Sequence, residues 1–117
     1  MHKKVLVVDD ENEIREIVTD VLNTEGYEVE SAASGEEGIE KAQEKQFDIA
    51  LLDVRLGGQD GIVTYWQLKR VSPRTKAIIM TAHYKREELS FCIDNHVDTY
   101  LQKPFEIDTL VDLVNGL

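Results

Sequence analysis

Val5-Leu6-Val7-Val8-Asp9-Asp10 is an unbroken apolar run that ends on two carboxylates. A short run that is apolar on both faces reads as a strand of a parallel sheet covered by helices on each side. Just downstream, Ile14, Ile17, Val18, Val21 and Leu22 recur at the spacing of one helix face over 11–25. Gly26 follows as the stop of that helix. Three later runs repeat the form of the first: Ile49-Ala50-Leu51-Leu52-Asp53, Ala77-Ile78-Ile79-Met80-Thr81 and Thr99-Tyr100-Leu101-Gln102-Lys103-Pro104. Each is a predicted strand that ends on polar residues able to do chemistry.

The intervals between these runs alternate with them. Tyr27 to Ser31 reads as a shorter strand. Ser34 is placed to cap a helix, with Glu37 three residues on completing a capping box and Ile39 and Ala42 facing inward. A third helix over 61–71 ends at Ser72-Pro73, because the residue before proline disfavours the helical region. A fourth is expected over 84–94 and a last one over 106–115. Strand and helix alternate without linker or repeat, so residues 1–117 read as one α/β domain. The expected architecture is a doubly wound, five-stranded parallel sheet of order 2-1-3-4-5 with five helices. In the third helix Ile62, Tyr65 and Leu68 share the inner face. Val63 and Trp66 then turn outward, and Trp66 is expected to be partly exposed, either against a helix edge or at a partner or dimer surface.

The 117 residues are 42% hydrophobic and 31% charged, enough for a real core. The net charge of −10 argues against direct nucleic-acid binding, which draws on Lys and Arg. No apolar stretch is long enough to span a membrane, and none has the form of a signal peptide. Cys92 is the only cysteine, so an internal disulfide is impossible, which fits a reducing cytoplasm.

In an open parallel sheet the C-terminal strand ends share one edge, and ligands bind in the crevice there. That edge would gather Asp9, Asp10, Asp53, Thr81 and Lys103. Three clustered carboxylates need compensation, and a hard divalent cation such as Mg2+ supplies it, using one or two carboxylates plus phosphate oxygens and a backbone carbonyl from the loop after Asp53. Lys103 suits a phosphate oxygen and Thr81 can donate to another. A carboxylate can attack phosphorus. Asp53 ends the central strand opposite Lys103 and Thr81, which makes it the candidate nucleophile, with Asp9 and Asp10 holding the metal. Alone, Asp9-Asp10 also fits an acidic helix start.

With these residues assigned, the chain resembles the receiver domain of two-component response regulators along its whole length. The resemblance rests on Val5–Asp10, on Leu51–Gly61, on Ile78–Ala82 and on Tyr100–Phe105. It implies a flavodoxin-like fold and a phosphorylation-dependent switch. Asp53 would be the phosphoacceptor, served by a histidine kinase or a histidine phosphotransfer protein. Mg2+ would sit on Asp9, Asp10, Asp53 and the backbone carbonyl of Arg55. Thr81 and Tyr100 would be the switch pair, Lys103 would contact the phosphoryl group, and the Lys103-Pro104 bond would be cis.

The resemblance also implies an output face of the helix over 84–94, the fifth strand and the last helix, including Tyr84 and Tyr100, through which a homodimer could form. The chain would be the receiver part of a longer regulator with a C-terminal effector domain, a single-domain regulator being the alternative. Its only catalysis would be its own phosphorylation and dephosphorylation, with Arg55 and His83 governing water access. Two departures stand out: Leu56-Gly57 where the family often has Met-Pro, and His96 where glycine is usual. A haloacid-dehalogenase-like phosphatase would use the same chemistry, but expects an Asp-x-Asp spacing that Asp9-Asp10-Glu11 lacks.

Overall fold

The computed structural model describes residues 3–54, 61–81 and 99–117. Five strands run β1 (Lys4–Val8), β2 (Glu28–Ala32), β3 (Ile49–Asp53), β4 (Lys76–Thr81) and β5 (Thr99–Gln102). Among the described residues the helices are α1 (Asn12–Thr24), α2 (Gly35–Glu44), α3 (Gly61–Val71) and α4 (Ile107–Asn115). The helix expected over 84–94 lies outside the described residues, as do Arg55, the Leu56-Gly57 loop, His83, Tyr84, Cys92 and His96. The sheet is parallel throughout, in the order β2-β1-β3-β4-β5, which is the expected doubly wound arrangement.

Alternation along each strand sends side chains to two separate cores. Leu6 and Val8 of β1 join Ala50 and Leu52 of β3 and Ala77 and Ile79 of β4 under α2 and α3, where Ala42, Tyr65 and Leu68 close the layer. Val5, Val7, Ile49, Leu51, Ile78 and Met80 face the other way, against Val18 and Leu22 of α1 and Leu110 and Val114 of α4. Because both faces are covered, the central strands are apolar at every position between their ends.

Local signals hold with two differences. Ser34 Oγ accepts from the Glu37 amide at 3.2 Å, but the Glu37 carboxylate accepts from the Ala33 amide at 3.1 Å, so the box closes one residue early. Ile17, expected on the inner stripe of α1, is 46% exposed. The sheet covers only the Val18–Leu22 side of this helix, and Ile17 is rotated from Val18 by one residue step, about 100°. Gly26 takes the left-handed conformation expected of a helix stop, with φ 95°. As expected, Val63 and Trp66 face solvent.

At the sheet edge opposite the Asp9 end, a buried hydroxyl pair ties α3 to β4. Thr75 Oγ1 donates to the Phe47 carbonyl at 2.7 Å and lies 2.6 Å from Ser72 Oγ. Gln46 also reaches that carbonyl, at 3.2 Å. Thr75→Val removes both hydroxyl contacts in a fully buried place and lowers stability by about 1–3 kcal/mol. Urea unfolding checks this, and chemistry at the opposite edge should be unchanged.

Candidate functional site

Strand register builds the site. Val8 pairs with Leu52, which sets Asp9, one residue on, level with Asp53. Asp53 pairs with Met80, and Thr81 with Gln102, so Thr81 and Lys103 emerge at the same edge. The Val54 amide continues the ladder to the Met80 carbonyl at 3.0 Å, and the Lys103 amide to the Thr81 carbonyl at 2.6 Å. The Lys103-Pro104 bond is cis.

Five residues from the ends of four strands thus share one edge, and their burial differs. Asp9, Asp53, Thr81 and Lys103 are buried, whereas Asp10 is exposed. Lys103 Nζ lies between two carboxylates, 2.6 Å from Asp9 Oδ2 and 3.0 Å from Asp53 Oδ2. Burial alone would lower the ammonium's pKa. The hydrogen bond to Asp9 and the charge of Asp53 outweigh it, and the pKa stands above the usual lysine value.

The acidic loop is held from behind. Asp9 Oδ1 accepts from the Glu11 amide at 2.9 Å, and Arg15 Nη1 donates to the Asp9 carbonyl at 2.7 Å. Arg15 also bonds the Asn12 side chain. Carboxylate oxygens of Asp9, Asp10, Glu11 and Asp53 all lie within 4.8 Å of one another. Among the described residues, these four carboxylates gather beside the Lys103 ammonium with Asp10 and Glu11 exposed, and such a set of hard oxygen donors suits a divalent cation such as Mg2+.

The arrangement was compared with known proteins. The family model for the response regulator receiver domain matches residues 5–115. This chain belongs to that family.

Its relatives place the domain in two settings. The receiver domain is 33% identical to the sporulation initiation phosphotransferase F of Bacillus subtilis, over 97% of this chain and 92% of that protein. It is 36% identical to the transcriptional regulatory protein ZraR of Escherichia coli over 91% of this chain, but spans only 24% of that protein's length. Among solved structures it superposes on a CheY-like response regulator receiver domain protein from Methanospirillum hungatei with a TM-score of 0.94. That match has 30% identity and covers 99% of this chain and 93% of the other. The family consists of phosphoacceptor switches rather than classical enzymes, and receiver domains typically use Mg2+.

Two residues of this receiver domain's site escaped the sequence reading. Glu11 brings a fourth carboxylate, and its Oε1 lies 3.7 Å from Lys103 Nζ. Its signal was its place directly after Asp10, where it reads equally well as a helix start. Gly61 opens α3 against the end of β3, its amide donating to the Val54 carbonyl at 2.9 Å. A Cβ there would overlap the Asp53 carbonyl oxygen and stand 2.6 Å from Val54 Cα. Only the packing of the start of α3 against the end of β3 reveals that need. Tyr100, on β5, is 41% exposed. No helix among the described residues is long and apolar enough to cross a membrane.

Proposed function

We propose that this domain accepts a phosphoryl group on Asp53 from a histidine kinase or a histidine phosphotransfer protein, and that Thr81 and Tyr100 pass the change to an output surface. The observation that carries this reading is the buried Asp53 carboxylate, 3.0 Å from Lys103 Nζ and inside the four-carboxylate cluster. An Asp53 oxygen attacks phosphorus as the P–N bond to the donor imidazole breaks. The electron pair of that bond stays on the imidazole nitrogen, which leaves as neutral imidazole once it carries a proton. Lys103 turns from the carboxylates to a phosphoryl oxygen, and the Thr81 hydroxyl donates to another. Asp9, Asp10, Asp53 and the Arg55 carbonyl would hold Mg2+, which supplies charge neutralisation at the phosphoryl oxygens.

Several features support the partners. A hollow of about 260 Å³ beside Lys103 is lined by Ile14, Ile17, Pro104, Phe105 and Ile107, and gives a protein phosphodonor an apolar surface next to the acceptor. Relatives such as the transcriptional regulatory protein ZraR, of which this chain spans only 24%, support a receiver working within a longer regulator, and the proposed setting is the cytoplasm with a C-terminal effector domain. Tyr100, exposed on β5, would turn inward when Thr81 moves towards a phosphoryl group, altering a face that a second copy could share. Arg55 and His83, two residues beyond Asp53 and Thr81, would then set the lifetime of the acyl phosphate.

Intact-protein mass spectrometry after incubation with acetyl phosphate and Mg2+ tests the central claim. Wild type gains one phosphoryl group and Asp53→Asn gains none. An unmodified wild type, or equal modification of the variant, would exclude Asp53 as the acceptor.

A further inference from the structure

The outer face of α3 is a second surface that the phosphoryl chemistry does not use. Val63, Trp66 and Arg70 stand three and four residues apart and so share one side of the helix. Val63 is 46% and Trp66 53% exposed. Along the sequence, positive charge continues past the end of the helix. Residues 69–76 hold four cations, Lys69, Arg70, Arg74 and Lys76, and no acidic residue, in a chain with 13 Lys and Arg against 23 Asp and Glu. Lys69 is turned back, donating to the Thr75 carbonyl at 2.7 Å and lying 6.0 Å from the centre of the Tyr65 ring. Arg70, Arg74 and Lys76 are exposed.

Basic residues in a last helical turn offset the helix dipole. That accounts for Lys69 and Arg70. It does not account for Arg74 beyond the helix, nor for two large apolar side chains left in water beside the cations. Tryptophan and arginine together are the composition of binding hot spots.

We propose that the outer face of α3 docks an acidic segment of another protein, with an apolar side chain over Val63 and Trp66 and carboxylates on Arg70 and Arg74. Charge selects the occupant. The rest of the chain carries the whole of the −10 excess and more, so an acidic partner is steered by the overall charge towards the basic residues 69–76. A second copy of this strongly acidic chain would approach against that repulsion. The proposal is independent of the assignment of Asp53.

Trp66 is the only tryptophan, so its emission reports directly on the face. The probe is a synthetic amphipathic helical peptide with Leu on one side and Glu on the other, titrated into the full chain at low salt. Two control peptides carry Lys in place of Glu, or Ser in place of Leu. A saturable blue shift is expected with the Leu/Glu peptide alone. Arg70→Gln combined with Arg74→Gln should weaken binding at least about tenfold, and added salt should weaken it further. Circular dichroism and the thermal midpoint show that the variant is folded, and Asp53→Asn should bind the peptide as wild type does. No saturable shift, equal binding of the Lys peptide, or indifference to the double substitution would overturn the proposal. A blue shift that grows with protein concentration in the absence of peptide would also overturn it, since the face would then be covered by a second copy.

Discussion

Replacing Lys103 with Met lowers folding stability by about 2–3 kcal/mol in metal-free buffer, measured by urea unfolding with EDTA present. The wild-type ammonium neutralises Asp9 and Asp53, both buried and both within 3.0 Å of it. Methionine fills the same volume but leaves the two carboxylates facing each other. Removing one partner of a fully buried pair costs about 3–5 kcal/mol, and the water-accessible mouth of this site reduces that figure.

Mg2+ should narrow the difference. A cation can take the place of the ammonium between the carboxylates, so the variant gains more stability from added Mg2+ than wild type does. An unchanged difference across a Mg2+ titration would mean that lysine and metal do not compete for these oxygens. The pH dependence has a definite sign. The pKa of Lys103 is raised on folding, so its stabilising contribution is complete below the ordinary lysine value and is lost only as pH rises through the higher folded one. The gap between variant and wild type therefore stays level through neutral pH and closes in strong alkali.

Gly61→Ala is expected to cost about 3 kcal/mol, a fall in Tm on the order of 10 °C. The added methyl would overlap the Asp53 carbonyl oxygen and crowd Val54 Cα. These are backbone atoms of the strand end that carries the candidate acceptor, and no rotamer change relieves the contact. Either α3 lifts from the sheet or the end of β3 moves, and in both cases Asp53 shifts relative to Lys103. Phosphorylation by acetyl phosphate should therefore fall by about tenfold or more even at temperatures where the variant is folded, because small misplacements at a reacting centre are costly. Gly38→Ala is the matched control. Its Cβ would meet Val8 Cγ2 at 2.8 Å, a side-chain contact of the α2 core rather than a backbone contact at the site. It should lower Tm with a smaller effect on phosphorylation. Equal loss of activity in the two variants would show that Gly61 acts through stability alone.

The legible features were those written locally. Apolar runs at Val5–Val8, Ile49–Leu52 and Ala77–Met80 carry their burial in consecutive residues. The helix stop at Gly26 and the cap at Ser34 rest on neighbours within four positions. Asp9, Asp10, Asp53, Thr81 and Lys103 could be placed together because each stands at or just after a strand end, and a parallel sheet brings strand ends to one edge. Ile17 was misplaced because periodicity assigns a residue to a helix face but does not say how wide a face the sheet covers. Glu11 and Gly61 were missed because their significance lies in atoms outside their own helix starts: Lys103, far along the chain, for the first, and the backbone of Asp53 and Val54 at the end of β3 for the second.

By itself the sequence determined the alternation of strands and helices, the polar strand ends and, through four ordered motifs, the family. These depend on side-chain polarity and short-range backbone preference, which reside in neighbouring residues. Only the tertiary structure decided that Lys103 lies between Asp9 and Asp53, that a fourth carboxylate joins the cluster, and that Gly61 must lack a side chain. Distances of this kind are fixed by strand register and by the packing of helices on the sheet. They arise only when segments that are not adjacent in the sequence are brought into contact.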